Sequence, residues 1–271
     1  MTKEYLFTWH VYGNNNNVSV NFGSQGFTYT PPSGFKALCT ENLSLKQAPS
    51  AVTNPKKHFD TLLWTGNSTN NRVITGLEFQ PDLVWIKKRN GAVNHLLHDA
   101  VRGVTKLLVS NSTAAEDVNT NILTSFDSDG FTVGTNSASN GNNDTFASWN
   151  WKANGAGSSN SDGSITSTVS ANTTAGFSIV SYSGTGSNTT AGHGLGQHPD
   201  WVIWKALDDT YNWDTYFKTV GYQKSLIINS SNGSRNVLHQ APNDLTLPLT
   251  DNYTGGSASG KRVLAWCWKE V

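Results

Sequence analysis

Apolar residues in this chain come in short bursts separated by Gly, Asn, Ser and Asp. In the first half the bursts are Thr61–Thr65, Leu83–Lys88, Lys106–Val109, Gly130–Gly134 and Phe146–Lys152. In the second they are Phe177–Ser183, Trp201–Ala206, Lys224–Asn229 and Arg262–Lys269. Each has the length and β-branched or aromatic content of a strand, and turn formers crowd the intervals. No window keeps a helical period, and a short helical turn near Asn94–Val101 is the most that the pattern allows. The expected fold is all-β, of the sandwich or jelly-roll kind.

Parity along these strands adds detail. Leu83, Trp85 and Lys87 fall on one face and Val84 and Ile86 on the other, so both faces are apolar, as in a central strand covered on each side. In the second half Ile203 stands where Trp85 does and Trp204 where Ile86 does. A large ring has moved from one layer to the other. In the closing strand Trp149 and Trp151 point as Trp266 and Trp268 do. Their opposite face is Ser148 and Asn150 in the first half but Ala265 and Cys267 in the second, so deeper covering is expected in the second.

The chain also repeats itself. At the offset that separates Phe59 from Phe177, Trp64 meets Tyr182, Gly66 meets Gly184, Gly76 meets Gly194, and Pro81-Asp82 meets Pro199-Asp200. Lys87 likewise meets Lys205, Gly103 meets Gly221, Lys106 meets Lys224, Leu108 meets Leu226, and Asn111-Ser112 meets Asn229-Ser230. At an offset one residue shorter, Trp149-Asn150-Trp151-Lys152 meets Trp266-Cys267-Trp268-Lys269. A period of roughly 100 residues exceeds that of solenoids and suits paired domains or two halves of one pseudo-symmetric domain. Residues 58–155 and 176–271 are therefore two copies of one β unit. Residues 1–57 form an N-terminal arm and connector, with strands expected at Val18–Phe22 and Phe27–Thr30. Residues 156–175, rich in Gly, Ser, Asn and Thr, are expected to be a loose linker.

Charge narrows the partners. Lys and Arg number 19, Asp and Glu 19, and charged residues make up 14%, against roughly 25% in an ordinary domain. Without a basic excess the chain lacks the footprint expected for nucleic acid or an anionic membrane. No run of residues is long and apolar enough to span a bilayer, so membrane insertion is not expected. No charged-then-apolar leader is written, and release by lysis or within an assembly is the expectation. Cys39 and Cys267 lack the spacing of a disulfide framework or zinc site, and Cys267, between two tryptophans, reads as a buried apolar residue.

Candidate chemistry is sparse. Asp127-Ser128-Asp129-Gly130 opens like a calcium loop but lacks the closing Glu, and a tight turn is the simpler account. No nucleophile elbow, phosphate loop, dinucleotide fingerprint or metal-binding histidine pair occurs, and no cofactor is expected. A glycosidase would need two carboxylates about 5–10 Å apart. Asp60, Glu78, Asp99, Asp208, Asp209 and Asp214 are available, but among the aligned positions above only Asp82/Asp200 is a matched carboxylate. The chain is therefore expected not to be an enzyme. The stronger candidate is a glycan-binding loop made of Tyr211, Asn212, Trp213 and Asp214, with Asn94 and His95 at the equivalent place in the first copy. Aromatic faces under sugar rings and short polar side chains at hydroxyls are the chemistry of such sites. The alternative is that Trp213 belongs to a small core beneath the loop.

A family resemblance fits this picture. The run Phe22–Leu43 resembles the exit from a SPRY-type β-sandwich. His58-Phe59-Asp60-Thr61, Ile74–Lys87, Asp99-Ala100-Val101-Arg102-Gly103 and Ser125–Phe131 are similar to a duplicated β domain that follows such a run in virion proteins of marine tailed phages. The resemblance implies a virion structural protein on the particle exterior, of tail-fibre or capsid-decoration type. It implies other virion proteins as partners; a homo-oligomer is expected because symmetric oligomers are the common solution for fibres and shells, and host-surface glycans are the candidate ligand of the Tyr211–Asp214 loop. No catalytic residues come with the resemblance. A polysaccharide-trimming glycosidase and an assembly protein without a ligand are the rival expectations.

Overall fold

The computed structural model describes residues 52–221, 223–231, 233–236, 241–249 and 259–271. The expected arm strands and the SPRY-like run lie outside the described residues. A single 3₁₀ turn, Pro55–Lys57, leads into the first repeat. That repeat contains β1 (Phe59–Thr65), β2 (Arg72–Thr75), β3 (Leu83–Lys88), β4 (Leu96–Asp99), β5 (Lys106–Val109), β6 (Asp117–Val118), β7 (Leu123–Asp127), β8 (Gly130–Val133), a one-turn helix α1 (Ser137–Asn140) and β9 (Thr145–Trp151). Then follow β10 (Ser158–Asn160), β11 (Ser167–Asn172), β12 (Phe177–Ser183), β13 (Thr189–Gly192), β14 (Trp201–Ala206), β15 (Asp214–Phe217), β16 (Lys224–Ile227), β17 (Arg235–Asn236), β18 (Thr246–Leu249) and β19 (Arg262–Trp268).

The fold is all-β, and every paired strand is antiparallel. One large sheet runs β1-β9-β3-β4-β5-β6; the other runs β10-β11-β12-β19-β14-β15-β16-β17. Strand for strand, the last six of the second sheet repeat the order of the first. Each large sheet carries a small one, β2-β8-β7 in the first copy and β13-β18 in the second.

Three apolar layers hold these sheets within the compact unit Ser50–Val271. Trp64, Val84, Ile86, Phe131, Val133 and Phe146 fill the space between the first large sheet and its small partner. Val180, Tyr182, Val202, Trp204, Leu247 and Leu249 do so in the second copy. The third layer joins the copies: Leu83, Leu97 and Leu108 from one large sheet meet Phe177, Ile179, Ile203, Leu264 and Trp266 from the other. The large sheets are thus stacked back to back, which is why β3 and β14 are apolar on both faces. Parity puts Leu83 on the face opposite Val84 and Ile86, and the structure agrees: Val84 and Ile86 lie in the outer layer and Leu83 in the shared one. Ile203 lies in the shared layer and Trp204 in the outer one, so the large ring has changed layers between copies.

Aligned polar residues hold the frame. Asp82 Oδ2 accepts from Ala153 N at 2.7 Å, and Asp200 Oδ2 from Glu270 N at 2.6 Å, each sealing the end of the closing strand. Gly103 and Gly221 take φ of 95° and 93° at the same turn, a conformation that a Cβ disfavours. Lys87 Nζ donates to the carbonyls of Lys88 and Val93, and Lys205 Nζ to those of Ala206 and Tyr211. Each ammonium thereby ties down the loop that follows its strand.

Three expectations are corrected. The linker expected over residues 156–175 contains β10 and β11, which extend the second sheet, with Val169 buried in its core. Ser167 Oγ donates to Gly192 O, and Ser170 Oγ accepts from Asn154 N, so these buried hydroxyls are satisfied and a polar strand is tolerated. The helical turn near Asn94–Val101 is β4, buried along its whole length. Ser148 and Asn150 are as buried as Ala265 and Cys267, because Asn150 Nδ2 donates to Asp60 O and to Ser148 Oγ. The deeper covering of the second copy lies on the tryptophan face instead.

Candidate functional site

Two neighbouring strands build an open aromatic recess. Trp85 on β3 stands opposite Trp149 on β9, and Trp151 follows on the same face two residues along. His95, just before β4, closes the side. These four residues line a recess of about 260 Å³. Trp85 meets Trp149 edge-on, with ring centres 6.3 Å apart and planes at 70°, and meets His95 at 5.9 Å and 76°. Trp149 is 36% exposed although β1 and β3 flank it on both sides.

The histidine has a defined protonation state. Trp85 Nε1 donates to His95 Nδ1 at 3.0 Å, and an indole N–H can only donate. Nδ1 is therefore an acceptor, and the neutral ring carries its proton on Nε2. Burial first, and the Lys87 ammonium second, lower the pKa of His95 below the usual histidine value, which keeps this tautomer at neutral pH. The recess accordingly offers indole faces and one ring N–H, with no formal charge in its lining.

Its rim is fixed from behind. Lys87 Nζ reaches the carbonyls of Lys88, Gly91 and Val93 at 2.9, 3.3 and 2.9 Å. Asn111 Oδ1 accepts from His95 N at 2.9 Å, and Asn111 Nδ2 donates to Asn94 Oδ1 at 2.9 Å. The second copy repeats this clasp: Asn229 Oδ1 accepts from Trp213 N, and Asn229 Nδ2 donates to Asn212 Oδ1, both at 2.8 Å. From the recess a ladder of rings continues over the seam between copies. Trp151 lies 4.9 Å from Phe59 and 6.1 Å from Trp268, and Trp268 stacks on Trp201 at 4.3 Å.

The residues expected at the site divide. Trp213 is fully buried, stacked 5.6 Å from Trp266, and its Nε1 donates to Val109 O and Ser112 O of the other copy. It belongs to the seam, because the loop after β5 covers it. Asp214 is also buried, accepting from Ser225 Oγ at 3.0 Å. Asn212 and Asn94 serve the two clasps. Tyr211 is 43% exposed, with its N–H on Thr113 O. Only His95 of the six lines the recess. Trp85, Trp149 and Trp151, which line the recess, are not among the six because an alternating aromatic strand reads as core. The signal that could have found them was the difference between copies: Trp85 against Ile203, and His95 against Trp213.

Four of the six candidate carboxylates, Asp99, Asp208, Asp209 and Asp214, are engaged elsewhere. Asp99, fully buried, lies 2.6 Å from Arg102, which also reaches Glu116 at 3.3 Å. Arg262 joins Glu116 at 2.9 Å to Asp208 at 2.7 Å, tying the copies together. Asp209 pairs with Lys261 at 2.9 Å. Asp127 accepts from Ser125 Oγ and Thr132 Oγ1, both at 2.7 Å, and Asp129 O receives Gly76 N and Leu77 N. The segment Asp127–Gly130 is therefore a tight turn between β7 and β8, and no cluster fit for a metal ion occurs among the described residues.

Two back-to-back copies of an antiparallel β unit, stapled by a charged seam and bearing an open tryptophan recess, define the class of this protein. Residues 54–271 match the family described as "Domain of unknown function (DUF7483)", and the chain belongs to that family. Comparison with curated proteins and with solved structures gave no match.

Proposed function

We propose that this protein is a non-enzymatic structural component on the exterior of a tailed-phage particle, of tail-fibre or capsid-decoration type. Its Trp85–Trp149–Trp151–His95 recess binds uncharged glycans of the host surface. The recess carries this reading. Indole faces take the C–H side of a sugar ring, the His95 Nε2–H donates to a hydroxyl, and a lining without formal charge favours neutral over acidic sugars. The resemblance of segments such as Ile74–Lys87 and Ser125–Phe131 to marine-phage virion proteins supports the setting. The engagement of Asp99, Asp208 and Glu116 in ion pairs supports a binding role over a hydrolytic one.

The test is titration of the full chain with neutral oligosaccharides prepared from host envelopes, followed by tryptophan fluorescence. Binding should disappear in Trp149→Ala and persist in Tyr211→Ala, with both variants folded. Release of reducing ends from the same polysaccharides would overturn the reading in favour of a hydrolase. Absence of binding to host cells and to every envelope fraction would leave an assembly protein without a ligand.

A further inference from the structure

The two copies differ at one sheet edge. In the second copy β12 is covered by β11, with Phe177 opposite Asn172, Ile179 opposite Ser170 and Ser181 opposite Thr168. In the first copy β1 holds the same place, and among the described residues it pairs with β9 alone. Lys152 N donates to His58 O and Gly66 N to Asp144 O. These bonds fix the alternation: even-numbered residues of β1 turn their peptide groups toward β9, and Phe59, Thr61, Leu63 and Thr65 turn theirs outward. The equivalent bonds, Lys269 N to Gly176 O and Gly184 N to Lys261 O, set Phe177, Ile179 and Ser181 outward in the second copy, where β11 meets them. The fold thus contains, in its own second half, a worked example of this edge accepting an antiparallel strand.

The other outer strands of the large sheets are short: β6 and β17 have two residues each and β10 has three, whereas β1 has seven. Leu63 is 67% and Phe59 39% exposed, and the face that carries Phe59, Thr61, Leu63 and Thr65 has no charge. A long edge strand with one uncharged, partly apolar face is a template for another strand. We infer that β1 pairs with β1 of a second copy of this chain about a two-fold axis, joining the two six-stranded sheets into one. The register that pairs all seven residues puts Phe59 opposite Thr65, Asp60 opposite Trp64, Thr61 opposite Leu63, and Leu62 opposite itself. It opposes the outward peptide groups and brings no like charges together, and a two-fold contact closes at a dimer.

The single chain satisfies part of this edge in the meantime. Asp60 Oδ1 accepts from Thr61 N at 2.8 Å, and Arg72 Nη1 donates to Thr65 O. Pairing exchanges the first of these for the carbonyl of the second copy's Leu63. Because Thr61 is paired with Trp149 and Phe59 with Trp151 within β1 and β9, the dimer would carry two recesses on one continuous sheet.

Sedimentation of the full chain, with Leu63→Lys beside it, tests the inference. The wild type should be a concentration-dependent dimer and Leu63→Lys a monomer with an unchanged melting curve. In a Cys39→Ser background, Leu62→Cys should give a disulfide-linked dimer on mild oxidation, because a non-hydrogen-bonded antiparallel pair brings Cα atoms to about 4.5 Å. Thr61→Cys should not. A wild type that stays monomeric at the highest soluble concentration overturns the inference. So does a dimer indifferent to Leu63→Lys, or a monomer whose Leu63 amide is protected from exchange by residues 1–51. Should Leu62→Cys fail to fold, the sedimentation of Leu63→Lys still decides.

Discussion

Trp149 and Trp266 occupy the same place in the two copies and have opposite fates. Trp266 is 1% exposed, stacked on Trp213 in the seam, whereas Trp149 lies open beside His95, the counterpart of Trp213. Their strands, partners and registers correspond, so local structure does not explain the difference. It arises one level up. The large sheets cover each other over Leu83, Leu97, Leu108, Ile203 and Leu264, and the loop after β5 of the first copy closes over Trp213. Trp149 has no such cover. One cell of the repeated unit has become core and its twin has become a surface recess.

The largest expected effect separates the two cells directly. Trp213→Ala should cost about 3–5 kcal/mol in denaturant unfolding, since it removes a buried ring and the indole N–H that reaches Val109 O and Ser112 O. A cost near zero would show that the seam is not core.

An intermediate effect concerns acid. Burial lowers the pKa of His98 to about 3, while its counterpart in the second copy is Tyr216, which does not titrate in this range. The unfolded chain takes up this proton near the ordinary histidine value and the folded chain does not. Stability therefore falls with decreasing pH by up to about 1.4 kcal/mol per unit below about pH 6.5, until the folded value is reached. Buried His193 adds in the same direction. His98→Tyr, which imports the residue of the second copy, should flatten the slope of unfolding free energy between pH 6 and pH 4 in that proportion. An unchanged slope would mean that His98 is charged in the folded protein.

The smallest effect completes the contrast. Trp149→Ala should change stability by less than about 1 kcal/mol, measured in the same unfolding experiment, because its ring is already in contact with solvent. A loss comparable to that of Trp213→Ala would mean that the recess is closed in solution.

Much of this frame was legible from residue order. Strands such as Leu83–Lys88, Lys106–Val109 and Trp201–Ala206 were written in apolar and β-branched residues and recur at the predicted bounds. β11 was hidden because its buried positions include Ser167 and Ser170, whose hydroxyls are satisfied by Gly192 O and by Asn154 N, residues that pattern cannot pair with them. β4 was hidden because four residues buried on both faces carry no alternation. The burial of Trp213 was hidden for a related reason. A loop rich in Tyr, Asn, Trp and Asp looks solvated until the chain around Val109–Ser112 covers its tryptophan, and that contact depends on how two sheets stack. His95, which enters only as a counterpart, is the one of the six that lines the recess.

The layer between the large sheets also bears on descent. A lone ancestral unit would have presented this face to water or to a separate polypeptide, with little reason to carry Ile203, Leu264 and Trp266 there. Once fusion let the face turn oily, losing either half would strand a greasy strip. The doubling works as a ratchet, and it leaves the twin tryptophan outside the strip.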